Sequence, residues 1–87
     1  MSPSARRIRK SVHSPEQQLL RELLVGAREK AVMTQQKLAK RLGTHQSFVA
    51  KYEGGERRLD VIEFITIARA IGADPLRLLR TLVQKLG

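Results

Sequence analysis

An all-α fold of five short helices behind a basic N-terminal arm is what this sequence predicts. Three observations lead there: apolar residues recur at helical spacing in successive stretches, capping residues and glycines punctuate those stretches, and no alternating strand pattern competes. The 87 residues suffice for one compact domain of about 70 residues once the arm is set aside.

Residues 1–14 read as the arm. Ser2, Pro3, Ser4, Ser11 and Ser14 accompany the cations Arg6, Arg7, Arg9 and Lys10, no carboxylate balances them, and only Ile8 and Val12 are sizeable apolar groups. Such a stretch buries too little to order itself, which leaves it a solvated tail or an arm that settles on phosphates when DNA is present. The folded part, 15–87, opens where Ser14 precedes Pro15 and Glu16: a hydroxyl accepts from free helix amides, proline suits the first helical position and a carboxylate suits the positive end. Leu19, Leu20, Leu23, Leu24 and Ala27 then form one stripe, so the first helix covers about 15–30.

Thr34 caps a second, short helix with Leu38, Ala39 and Leu42 on its apolar face, and Gly43 ends it. Only Thr44 and His45 separate that glycine from a third segment, Gln46 to Glu53, in which Val49 and Tyr52 share a face. Two short helices joined by a tight glycine-containing turn are the result. Gly54 and Gly55 stop the third helix, a polar loop follows, and Asp60 stands three residues before Glu63 as in a capping box. The expected buried set of the fourth helix is Val61, Ile62, Ile65, Ala68 and Ile71, closed by Gly72. Asp74 and Pro75 open a fifth helix that runs to about Lys85.

Seventeen Lys and Arg against 8 Asp and Glu leave a formal charge of +9, which points to a polyanionic partner. With no cysteine, disulfides, thiolate metal sites and thiol chemistry are excluded. The basic start is followed by His13, Glu16, Gln17 and Gln18 instead of an apolar run, so it does not read as a secretion signal. No apolar stretch approaches the roughly 20 residues needed to span a bilayer. A soluble, cytoplasmic protein without membrane association is expected. No catalytic, metal or cofactor site is expected either, because neither His13 nor His45 has a carboxylate pair, ligand spacing or phosphate-cradling loop beside it.

The stretch TQQKLAKRLGTHQSFVAKYEGGERRLD resembles the helix-turn-helix of the phage repressor and Cro-like family, also called the XRE family, and the likeness extends over about 20–82. Gln35, the Leu38-Ala39 pair and Gly43 match the family's second helix and turn. Gln46, Ser47, Val49, Lys51, Tyr52 and Glu53 match its third helix, Gly55 the glycine after it, and Asp74, Pro75, Leu78 and Leu79 its closing helix. Ala27 and His45 depart from the pattern, the first where a larger apolar residue is usual and the second where a hydroxyl usually caps.

The resemblance implies a lambda-repressor-like DNA-binding domain whose third helix lies in the major groove of double-stranded DNA. With Val49 and Tyr52 inward, a step of about 100° per residue turns Gln46, Ser47, Ala50 and Lys51 outward as base readers. Gln46 leads them, because its amide both donates and accepts, as the N6 and N7 edge of adenine requires. Phe48 lies on the border, free to pack beneath the motif or to touch sugar and thymine. Thr34, Gln35, His45, Arg57 and Arg58 are phosphate candidates, with Lys37, Lys40 and Arg41 behind them. Arg28 and Glu53 match family positions typically joined as an ion pair, so a structural pair is expected between the first and third helices.

The last helix carries two apolar rows, Leu76, Leu79, Val83 and Leu86 in one and Leu78 with Leu82 in the other. One row can cover the core; the second, assigned to Leu78 and Leu82, suggests a homodimer that reads an inverted repeat. The function expected from this is transcriptional regulation, by repression at an operator. Two alternatives are a DNA-binding antitoxin with a toxin partner and an adaptor whose basic surface meets an acidic protein; salt-insensitive, weak binding to DNA would favour the adaptor.

Overall fold

The computed structural model describes residues 13–87; the arm residues Arg6, Arg7, Arg9 and Lys10 lie outside the described residues. The helices are α1 (Pro15–Lys30), α2 (Gln35–Leu42), α3 (Gln46–Glu53), α4 (Val61–Ile71) and α5 (Pro75–Leu86), and no strand occurs among the described residues. Their beginnings follow from local chemistry. Ser14 Oγ accepts from the Gln17 amide at 3.2 Å and is itself buried, and Thr34 Oγ1 accepts from Lys37 at 3.1 Å. At α4 the box is complete: Asp60 Oδ1 accepts from the Glu63 amide at 2.7 Å while Glu63 Oε1 accepts from the Asp60 amide at 2.9 Å.

The turn between α2 and α3 requires φ +69° at Gly43, a conformation that costs glycine nothing. The turn between α1 and α2 achieves a similar reversal without glycine. Val32 stands there at φ 53°, 92% exposed, and a β-branched residue in the left-handed region costs roughly 1–2 kcal/mol.

α2 and α3 pack most closely on each other, α1 crosses behind α3, α4 and α5, and α4 closes against α2. Leu24 of α1, Leu38 of α2, Val49 and Tyr52 of α3 and Ile67 of α4 meet in the centre, with Met33, Ala39, Phe64 and Ile71 around them. Burying a side chain of the Leu or Val kind contributes roughly 1.5–3 kcal/mol, so this centre is what holds the short helices in place.

Two expectations change. In α4 the buried residues are Phe64, Ile67, Ala68 and Ile71, while Val61 and Ile62 are each 70% exposed. This segment is apolar on nearly every side, so periodicity left its rotation open, and docking against α2 and α1 selected the row that begins at Phe64. In α5 no side chain is fully buried. Leu78, expected at a partner interface, packs half-buried on the core, and Leu82 is also half-buried, lining a groove with Leu20, Phe64 and Ile65. The outward row is Leu76, Leu79 and Val83, at 70%, 45% and 61% exposure.

Candidate nucleic-acid interface

α3 is divided cleanly between two environments. Val49 and Tyr52 are fully buried, and Gln46, Ser47, Ala50 and Lys51 are exposed on the other side. The helix is only 8 residues long, so its direction depends on what grips it. Beyond the buried Val49 and Tyr52, Arg28 of α1 supplies a polar grip. Its Nε donates to Glu53 Oε2 at 2.7 Å and its Nη2 to Glu53 Oε1 at 3.0 Å, a two-pronged contact with both side chains largely buried. A third bond, Nη1 to the Met33 carbonyl at 2.7 Å, ties in the segment leading to α2. The hydrogen bond to Glu53 raises the Arg28 guanidinium above its ordinary value despite the opposing effect of burial.

The same carboxylate reaches toward the exposed face. Gln35 Nε2 donates to Glu53 Oε1 at 2.9 Å, and Gln46 Nε2 donates to Gln35 Oε1 at 3.5 Å. A chain of polar contacts therefore runs from α1 through the end of α3 and the start of α2 to the first residue of α3. Sequence spacing brings none of these four residues together; only the Arg28 and Glu53 pair is expected, and that from the family resemblance.

Among the phosphate candidates, Thr34 is engaged as a cap, and His45, the N-cap of α3, makes no side-chain cap bond and is exposed. Lys37 and Lys40 are exposed, whereas Arg41 Nη1 donates to the Ala70 carbonyl at 3.1 Å, drawn to the end of α4. Arg57 is held on three sides. Its Nη2 donates to Glu63 Oε2 at 2.7 Å, its Nη1 to the Arg58 carbonyl at 3.1 Å, and the guanidinium carbon lies 4.7 Å from the Phe48 ring centroid. Arg58 itself is exposed. Phe48, the border residue, is half-buried against the core, edge-on to Tyr52 at 5.7 Å. The Phe48–Arg57–Glu63 assembly was missed in the sequence, because its members come from α3, the following loop and α4. The Tyr52 hydroxyl is buried without a hydrogen-bond partner, and burial pushes the phenol well above its ordinary value.

No group of three or more metal-ligating side chains occurs among the described residues, and none of their helices is long and apolar enough to cross a membrane.

A sequence-family model described as helix-turn-helix matches residues 27–78, from the last turn of α1 into α5. Among solved structures, the chain is similar to an XRE-family like protein from Pseudomonas syringae pv. tomato str. DC3000. The TM-score is 0.80 and the identity 51%, over 85% of this chain and 90% of that one. A point mutant of the restriction-modification controller protein C.Esp1396I shares the fold at TM-score 0.75 and 18% identity, over 84% of this chain and 92% of that one. No curated protein matches the sequence. With the helix-turn-helix model matched across all of α2, α3 and α4 and half of the aligned residues identical to an XRE-family like structure, the chain belongs to the XRE family of helix-turn-helix DNA-binding transcriptional regulators.

Proposed function

We propose that the protein binds a specific double-stranded sequence as a homodimer and represses transcription by occupying an inverted-repeat operator. The observation that carries the reading is the polar chain ending at Gln46. An ionised Glu53 only accepts, so Gln35 must present its amide N–H to it and its carbonyl to Gln46. Gln46 then spends one N–H on Gln35 and keeps its carbonyl oxygen and second N–H for the groove. That pair of groups matches the N6 donor and N7 acceptor of adenine. Ser47, Ala50 and Lys51 complete the reading face, Ala50 against a thymine methyl and Lys51 toward guanine or a phosphate. Thr34, Gln35, His45, Arg57 and Arg58 flank it on the backbone, where contacts set register without reading sequence.

For the dimer, the exposed Leu76 and Leu79 line, with Val61, a groove of about 410 Å³ between α1, α4 and α5, and the exposed Val83 follows them on α5. Burying that row against its own copy would direct two α3 helices at major grooves about 34 Å apart.

The test is selection from a random duplex pool, followed by titration of the winning sequence with the wild type, a Gln46→Ala/Ser47→Ala variant and a Leu79→Arg variant. An inverted repeat should emerge. The double variant should lose discrimination by at least 10-fold, since a bidentate base contact is worth about 1–3 kcal/mol. Leu79→Arg should sediment as a monomer and bind half-sites only. Failure to enrich any sequence would defeat the operator reading and favour a protein partner.

A further inference from the structure

Arg57, a phosphate candidate in the loop between α3 and α4, is held by its surroundings. The guanidinium lies on the Phe48 ring, and Glu63 and the Arg58 carbonyl take one N–H each from its two terminal nitrogens. Both neighbours are themselves engaged. Phe48 is wedged against the core and Tyr52, and the other oxygen of Glu63 is committed to the capping box of α4. Phe48 is also only two residues beyond Gln46, so the loop folds back and sets Arg57 beside the end of α3 that bears Gln46. The Arg57 and Glu63 side chains retain 41% and 27% exposure, and a guanidinium has five N–H groups, so most of its donors are still available.

We infer that Glu63 and Phe48 are positioning residues for Arg57, holding its guanidinium ready for a DNA phosphate beside the reading face of α3. This rests on the DNA-binding reading above and adds an acidic residue to the DNA-binding machinery, against simple charge matching. An unrestrained arginine loses much of its side-chain freedom on reaching a phosphate; one already stacked and forked loses less. The ion pair is exposed enough to be weak, so Glu63 orients Arg57 without withholding it.

The experiment titrates the selected duplex at several salt concentrations with four full-length proteins: wild type, Arg57→Ala, Glu63→Gln and the double variant. Glu63→Gln keeps a carbonyl oxygen for the Asp60 amide, and a thermal melt checks that the fold survives. Arg57→Ala should weaken binding on the order of 10-fold and reduce the salt slope by about one. Glu63→Gln should weaken binding about 3-fold although it removes a negative charge, and that loss should vanish in the Arg57→Ala background. Phe48→Leu, which keeps apolar volume and removes the ring, should show the same dependence on Arg57.

Equal tightening by Glu63→Gln in both backgrounds would overturn the inference, leaving Glu63 a repulsive charge and nothing more. An Arg57→Ala protein that binds the duplex with wild-type affinity and salt slope would overturn it while sparing the DNA-binding reading. A wild type that selects no duplex would defeat both.

Discussion

Arg28–Glu53 and Arg57–Glu63 are closed by the same 2.7 Å contact, yet they occupy opposite regimes of electrostatics. The first pair retains 12% and 7% of its side-chain exposure and is braced by Met33 and Gln35; the second retains 41% and 27% and is braced by the Phe48 ring, the Arg58 carbonyl and the Asp60 amide. Burial makes the inner pair costly to break on one side only, because the surviving charge keeps its desolvation penalty and loses its partner. Solvent makes the outer pair weak as a fastener and easy to redirect. The inner pair orients a helix, whereas the outer pair orients a side chain.

The largest effect is expected at the inner pair. Arg28→Ala should cost about 2–3 kcal/mol in denaturant unfolding, below the full penalty for a buried pair because some solvent reaches it. About 1 M salt should leave most of the wild-type inner contribution intact. A loss below about 0.5 kcal/mol would place the two pairs in one class. Gln35→Ala, which removes one hydrogen bond from Glu53 and leaves the pair, should cost about 1 kcal/mol by the same measurement.

A smaller effect is expected at the outer pair on acidification. The hydrogen bond from Arg57, then that from the Asp60 amide, hold the Glu63 carboxyl below its ordinary 4.5. A depressed carboxyl adds stability above its unfolded value and loses it as pH falls through its folded value. Melting temperatures measured from about pH 6 down to about pH 2 should therefore fall less steeply below 4.5 for Glu63→Gln than for the wild type. Parallel curves would remove Glu63 from the acid response. Smallest of all, Tyr52→Phe should change stability by less than about 0.5 kcal/mol or raise it, since the hydroxyl beside the inner pair is buried with no partner. A loss above about 1 kcal/mol would mean the hydroxyl is satisfied in solution, and that the inner region is wetter than its burial implies.

Where the two halves of the domain differ in legibility, the reason is the pattern of polar residues. In α2 and α3 most other positions are polar, so one rotation of each helix buries Leu38 and Ala39 or Val49 and Tyr52, and those four are buried; only Phe48, on the border of α3, stays open. In α4 and α5 apolar residues occupy more than one face. Val61 and Ile62 then compete with Phe64 and Ile67 for the core, and Leu76 and Leu79 with Leu78, on nearly equal terms.

The five helices, the caps at Ser14, Thr34, Asp60 and Asp74, the glycine turn between α2 and α3, the family, and the outward face of α3 were legible in the sequence, because these rest on local chemistry: a hydroxyl or carboxylate at a helix start, a glycine at positive φ, one narrow apolar stripe. Only the tertiary structure decided which rows of α4 and α5 are inside, how Glu53 reaches Gln46 through Gln35, and that Arg57 lies between Phe48 and Glu63. Those outcomes depend on side chains brought together from separate helices, and their energies arise only after packing has removed the water between them.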